Sequence, residues 1–353
     1  MTEPKVANLP TTDLSHIFCG NQTEIWLRFK NSAVNDLAWV IFSPDLVEKE
    51  LGNSVSAGKT LWGLPDSQQA VIHWLTKLDE NISLRGLPDR YTLTIKQSPQ
   101  RLGVYFEQLI AFALQSLPAV KTNRPALLAQ NIQINEDGIT AGEFDFLLQD
   151  QQNQLLHVEA AVKFFLLPQK ASLPYDPMHW LGPNAKDKLG LKIDHLLAKQ
   201  LTLFQRSKAA RKKALQLNGN PTSCEAQSQY LVKGMFFIHW SALIAQPAIA
   251  NAECLMGHWI HEKELKNLIE ANKTSQYFTV SLLKKTEWLT GNGVNNPLTA
   301  FDLPSPSAIP YMLELTHQPE HSFADDVHTE KKTSRLMVVN NYWPEINSPS
   351  RMI

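Results

Sequence analysis

Three extended runs, 127–134, 139–149 and 154–165, follow one another with only four residues between each pair, and this spacing limits the fold more than any other feature of the chain. A four-residue connection cannot carry a parallel crossover, which takes about a dozen residues or more, so the runs must pair as an antiparallel meander. The first connection, Asn135-Glu-Asp-Gly138, has the composition of a tight turn; the second, Asp150-Gln-Gln-Asn153, is wholly polar. Upstream, apolar residues at 102, 106, 109, 110, 113 and 117 keep helical spacing until Pro118 ends the run. Downstream, Trp180-Leu-Gly-Pro-Asn184 is read as opening a long helix to about Phe204, with Leu189, Ile193, Leu196, Leu197 and Phe204 on one side. The predicted order is helix, three-strand meander, helix: an α/β core.

The chain of 353 residues is long enough for roughly two domains, or for one large domain with additions. We divide it into a mostly helical N-terminal region, 1–95, the core, 96–215, and a mixed C-terminal region, 216–353. In the first, Trp26, Leu27, Leu37, Trp39 and Val40 are core candidates. Val71, Ile72, Trp74, Leu75 and Leu78 make one helix face, and Tyr91, Leu93 and Ile95 alternate too briefly to predict a strand. In the last, Asn218-Gly-Asn-Pro-Thr-Ser223 reads as a linker, 230–245 as a buried run, 259–272 as a helix, 304–310 as a Pro-rich stretch and 317–335 as a long loop. The tryptophans Trp26, Trp39, Trp74, Trp240 and Trp259 are read first as core.

Hydrophobic residues make up 43% of the chain, which excludes a disordered one. Lys and Arg total 33 against 34 Asp and Glu, so a wholly basic nucleic-acid coat is excluded and any basic surface must be local. The longest apolar stretch, Met235 to Ala250, interrupted by His239, Gln246 and Pro247, falls short of the roughly 20 residues of a membrane span. Met1 to Gly20 has no apolar signal-peptide centre, and Cys19, Cys224 and Cys254 form no disulfide framework. The expectation is a cytoplasmic protein with no membrane partner.

Side chains alternate between the faces of a strand. Glu143, Asp145 and Leu147 therefore share one face of the second run, opposite Phe144, Phe146 and Leu148. His157, Glu159, Ala161 and Lys163 share one face of the third. Carboxylates in otherwise buried strands need a cation, a proton or hydrogen-bond donors. On the preceding helix Glu107 has Gly103, Val104, Ile110 and Ala111 as neighbours and so borders the apolar side. Three acids and a lysine suit Mg²⁺ and phosphodiester cleavage, because a hard cation takes oxygen ligands and activates water.

Gly142-Glu-Phe-Asp-Phe-Leu147, the polar turn and Leu156-His-Val-Glu-Ala-Ala-Val-Lys163 together resemble the core of the PD-(D/E)XK nuclease superfamily. The resemblance covers about 102–205 and implies a restriction-endonuclease-like core flanked by the helical N-terminal and mixed C-terminal additions. It implies Asp145 and Glu159 as metal ligands with Glu143 assisting, Glu107 as the helix acid, Lys163 as the catalytic lysine and Mg²⁺ or Mn²⁺ as cofactor. The implied partner is nucleic acid, with DNA expected before RNA. One position departs from the pattern: two residues after Glu159 stands Ala161, and Lys163 follows two later, so Lys186, Lys188 or Lys192 of the following helix is an alternative donor. Over most of its length the chain also resembles a bacterial family of unknown function, through Asp36-Leu-Ala-Trp39, Gly142-Glu-Phe-Asp145, Trp180-Leu-Gly-Pro-Asn184 and Trp343-Pro344.

Nine basic residues lie between Lys186 and Lys213, against Asp187 and Asp194. Lys186, Lys188, Lys192, Lys199 and Arg206 are the candidates for phosphate contact. Blander readings stand beside these. Glu143 and Asp145 are also what a solvated edge strand shows, Glu159 with Lys163 also makes an ordinary ion pair, and the basic segment also fits a solvated helix face. A catalytically inactive, nuclease-like binding or interaction module is the alternative function. Cys254, His258 and His261 fall at i, i+4 and i+7, a possible zinc set on a helix.

Overall fold

The structure is a computed structural model and describes residues 25–64, 66–80, 102–117, 124–219, 226–242, 245–272, 278–291, 304, 310–317 and 332–345. The described elements begin with α1 (Ser32–Phe42), β1 (Glu50–Leu51), β2 (Ser54–Ser56), α2 (Gly58–Leu61), α3 (Gln68–Glu80) and α4 (Leu102–Ser116). The meander follows as β3 (Ala126–Glu136), β4 (Ile139–Gln149) and β5 (Leu155–Leu166), and then α5 (Leu189–His195), α6 (Leu203–Arg206) and α7 (Lys208–Asn218). The remainder is β6 (Ala226–His239), β7 (Leu255–His261), α8 (Glu262–Asn272), β8 (Phe278–Leu283), β9 (Tyr311–His317) and β10 (Lys332–Val339).

All ten strands among the described residues join one mixed sheet, whose main path runs β3-β4-β5-β6-β7-β10-β9-β8, with β2 parallel beside β6. The meander is antiparallel, as its short turns require. β6 then lies parallel to β5 along its whole length, from Leu155↔Ala226 to Leu166↔Phe237, and β7 and β10 continue in parallel. The three regions drawn from the sequence thus share one hydrogen-bonded sheet.

Each face of this sheet is covered because each helix has one apolar stripe to bury. Leu37 and Trp39 of α1 and Phe106 and Leu109 of α4 pack on Phe146, Val158, Phe164 and Phe237. On the other side, Trp180 and Leu189, Ile193 and Leu196 pack on Phe165, Val232 and Phe236. Phe204, Ala210 and Ala214 pack beside them on Phe144, Leu147 and Leu155. Burying each such large side chain contributes on the order of 1.5–3 kcal/mol, so the two helical layers clamp the meander rigidly from both sides. β5 and β6 approach so closely that a Cβ on Gly234, whose φ is +144°, would lie 1.7 Å from the Lys163 carbonyl oxygen.

Several predicted elements differ. The long helix does not begin at Trp180: Leu181 bridges to Leu166 and to Lys188, and Ala185 has a φ of +57°, so helix starts only at Leu189. It is then interrupted by a π-helical turn, Leu196–Gln200, and restarts at Leu203 and Lys208, with Gly219 as the left-handed C-cap after Asn218. The expected helix 259–272 is strand as far as His261 and helix from Glu262, so Cys254, His258 and His261 do not share a helical face. The N-terminal region is helical in α1, α2 and α3 but also supplies β1 and β2. Residues 332–335 of the expected loop belong to β10. Met1–Gly20, the run 85–97, the linker beyond Gly219, nearly all of 304–310 and residues 318–331 lie outside the described residues. Trp26, Trp39 and Trp259 are buried, as read, while Trp74 and Trp240 are partly so. No helix among the described residues is long and apolar enough to cross a membrane.

Candidate functional site

β4 and β5 pair from Gln149↔Leu155 up to Phe146↔Val158 and no further. Beyond that pair the Asp145 side chain takes over the role of a strand neighbour, and its Oδ2 accepts the Ala160 backbone N–H at 2.9 Å. The inside–outside alternation of the meander slips at the same level. Phe144 packs with Leu147 on the α7 side, whereas Phe146 and Leu148 pack on the α4 side, so Phe144 does not share a face with them as the simple alternation predicts. On β3, Asn131 adopts a φ of +52° between the residues paired with Phe146 and Phe144, a conformation Asn tolerates better than most. The consequence is a fork where the β4–β5 ladder ends, with carboxylates beside it.

Glu159 is buried at that fork and carries two partners. Its Oε1 lies 2.7 Å from His157 Nε2, and its Oε2 accepts a hydrogen bond from the Gln200 side-chain amide. His157 is itself fully buried, 3.3 Å from Ser228 Oγ and edge-on to Phe144. Gln200 ends the π-helical turn, a feature that shifts side chains out of ordinary helical register and recurs at functional sites. Its Oε1 accepts from Lys192 Nζ at 2.8 Å, so one amide links the Glu159 carboxylate to the Lys192 ammonium.

The electrostatics report the same convergence. Burial, then the charge of Glu159, then those of Glu107 and Glu143 raise the Asp145 carboxyl from 3.8 to about 8, against the lowering by the Ala160 N–H. Glu107 is raised by burial and by Glu143 and Glu159, and held down by a hydrogen bond from the Asn131 side chain. Lys192 is lowered by burial and by the neighbouring Lys163 ammonium, while Glu159, Asp145 and Asp187 oppose that shift. Residues far apart in sequence thus lie within each other's field: acids from α4, β4 and β5, and two lysines.

Glu107, Asp145, Glu159 and Lys192 lie within one another's electrostatic field without their acidic oxygens closing to one ion's coordination distance, with Glu143 exposed at the margin. Lys163 lies on the expected face but pairs with Asp187 at 3.6 Å. Lys186, Lys188 and Lys199 are exposed on the α5 side, whereas Arg206 donates to the Ala141 and Lys199 carbonyls. Of the three helix lysines named as alternative donors, Lys192 is the one directed toward the acids, through Gln200. Sequence reading missed Gln200 and Asn131, since an amide in a helix and an Asn in a strand carry no periodic signal.

A second cluster lies at the C-terminal ends of the parallel strands. His239 ends β6, His261 ends β7 and Glu264 lies in the first turn of α8. Among the described residues this is the one trio of metal-ligand side chains whose donor atoms all lie within 4.8 Å of one another. The acids at the β4–β5 fork are spread more widely.

A family model described as domain of unknown function (DUF1853) matches residues 35–339, most of the chain, and the chain belongs to that family. No curated protein and no solved structure matches it.

Proposed function

We propose that this member of the DUF1853 family is a divalent-metal-dependent nuclease with a restriction-endonuclease-like core, hydrolysing phosphodiester bonds of nucleic acid. The observation that supports the reading is that Glu107, Asp145 and Glu159 lie within one another's electrostatic field, and within that of the Lys192 ammonium, where β4 and β5 part. The oxygen-only donor set fits Mg²⁺ or Mn²⁺, and carboxylates that raise each other's proton affinity are the kind of group a cation relieves. Asp145 and Glu159 would hold the metal, with Glu107 and Glu143 beside them.

Bound there, the metal would supply Lewis-acid polarisation of the phosphate and a water-derived nucleophile. The protein's part is positional. Ala160 N–H orients Asp145, and His157 and Gln200 orient Glu159. Lys192, held by Gln200, brings an ammonium to the acids in place of the lysine that Ala161 does not supply. Lys163 can join it on release from Asp187. The exposed Lys186, Lys188 and Lys199 extend positive charge away from the site, where a phosphate backbone would run.

One observation favours a second reading, a nuclease-like module that binds without cutting: both Glu159 oxygens are already engaged by His157 and Gln200. A cleavage assay with Mg²⁺ or Mn²⁺ on single- and double-stranded DNA and RNA separates the two. The nuclease reading expects cutting by wild type that is lost in Asp145→Ala and Lys192→Met. Binding without cutting supports the second reading, and cutting that survives Asp145→Ala removes the site.

A further inference from the structure

We propose that His239, His261 and Glu264 form a binding site for a divalent transition-metal ion of the Zn²⁺ class, separate from the acidic fork. Three nitrogens converge on one carboxylate oxygen, Glu264 Oε2. His261 Nδ1 lies 3.0 Å from it, the His261 backbone N–H 3.2 Å and His239 Nε2 3.3 Å. A Zn²⁺ ion about 2.0–2.1 Å from each ligand holds neighbouring tetrahedral donors roughly 3.3 Å apart, the spacing found between this oxygen and the two imidazoles.

The outward nitrogen of His261 is held as that of a metal-bound histidine is held. His261 Nε2 donates to the Trp343 carbonyl oxygen at 3.1 Å, which fixes the proton on that nitrogen and turns the Nδ1 lone pair toward Glu264. A lone pair facing a carboxylate oxygen is repulsive unless a proton or a cation stands between them. His239 Nδ1 accepts the Ser241 backbone N–H at 3.4 Å and lies 2.8 Å from Ser241 Oγ, so without a metal its proton sits on Nε2 facing Glu264; Zn²⁺ binding would displace that proton and leave Nδ1–H to donate to Ser241 Oγ. Trp259 packs edge-on to both imidazoles, at 4.7 Å and 5.0 Å, and to Trp343 at 4.8 Å, giving the ring planes an apolar wall.

Place and donor type add to this. The trio stands past the carboxyl ends of β6 and β7, where open parallel sheets most often receive their ligands. Two imidazoles and a carboxylate prefer a borderline cation to Mg²⁺, so the two sites would differ in metal. Three protein ligands leave a fourth position open to water or a substrate atom.

The test is titration of the chelator-treated full chain with Zn²⁺ and with Co²⁺, following heat of binding and the visible Co²⁺ spectrum. One equivalent per chain is expected, with a tetrahedral Co²⁺ signature. Glu264→Gln, which preserves shape at a half-buried position, should weaken Zn²⁺ binding by more than about 100-fold, and Ser241→Ala by about 10–100-fold. His73→Ala, at an exposed histidine of α3, and Asp145→Asn at the acidic fork should leave the affinity unchanged. Absence of a one-equivalent site, or binding indifferent to Glu264→Gln and Ser241→Ala, would show that Glu264 only pairs with the imidazoles and would overturn the proposal.

Discussion

Replacing Asp145 by Asn should stabilise the metal-free protein while removing its response to Mg²⁺. In the folded chain burial and the charges of Glu159, Glu107 and Glu143 raise this carboxyl from 3.8 to about 8. Between those values the folded state keeps a proton that the unfolded chain has lost. Stability therefore falls as pH rises through the window from about 4 to 8 and levels off above it. Each pH unit is worth about 1.4 kcal/mol, so at pH 7 the full effect would be about 4 kcal/mol. Asp145 is only half-buried, and solvent screening brings this to about 1–2 kcal/mol. Asparagine carries no charge to desolvate and keeps an oxygen for the Ala160 N–H. Urea unfolding in chelator at pH 4, 7 and 8 should show the variant and wild type alike at pH 4 and the variant ahead by at least about 1 kcal/mol at pH 8. Millimolar Mg²⁺ should then stabilise wild type and leave the variant unmoved. Equal stability of the two proteins at pH 8 would refute the electrostatic argument. A Mg²⁺ response that persists in the variant would refute the ligand assignment.

Two further outcomes follow from the same geometry. Changing Lys186, Lys188 and Lys199 together to Gln should weaken nucleic-acid binding and reduce the slope of log K against log salt by about 2–3, read from titrations at several salt concentrations; an unchanged slope would remove these lysines from the interface. Gly234→Ala places a Cβ 1.7 Å from the Lys163 carbonyl at a φ of +144°, so the β5–β6 ladder must shift. A loss of more than about 2 kcal/mol in chemical denaturation is expected, and a neutral result would contradict the close approach.

The meander was legible because two constraints agreed on it: turns too short for a crossover and apolar residues with a period of two. β5 follows that alternation, and His157, Glu159 and Lys163 share the predicted face. What lay beyond local pattern was not legible. From Tyr230 to His239 β6 is buried on both faces, so it reads only as part of a buried run, 230–245, and nothing in it says that it pairs with β5 across the long excursion between them. The Trp259-Ile260 stretch was read as helix because short apolar runs suit either state. Gly257, which weakens a helix, is a strand residue whose missing Cβ leaves room for the Phe237 ring. The His239, His261 and Glu264 trio was hidden for the same reason. Its signal is a histidine closing each of two apolar runs and an acid three residues after the second, visible only once both runs are strands.

The acidic fork shows why residue spacing along one strand is a weak guide to where charge is compensated. A lysine at position 161 would have put its ammonium on the Glu159 face directly, and the chain has Ala161 there. The field of the acids acts through space and is indifferent to which element answers it. The π-helical turn lets Gln200 reach both Glu159 and Lys192, so the cation arrives from the covering helix with its orientation fixed by an amide. Lys163, two residues further along β5, is held off by Asp187. On this division of labour, Gln200→Ala should free Lys192 and Glu159 together and resemble Lys192→Met in its effect on metal-dependent cleavage. Gln200→Glu, which adds a fifth acid and no donor for Glu159, should be more damaging than either.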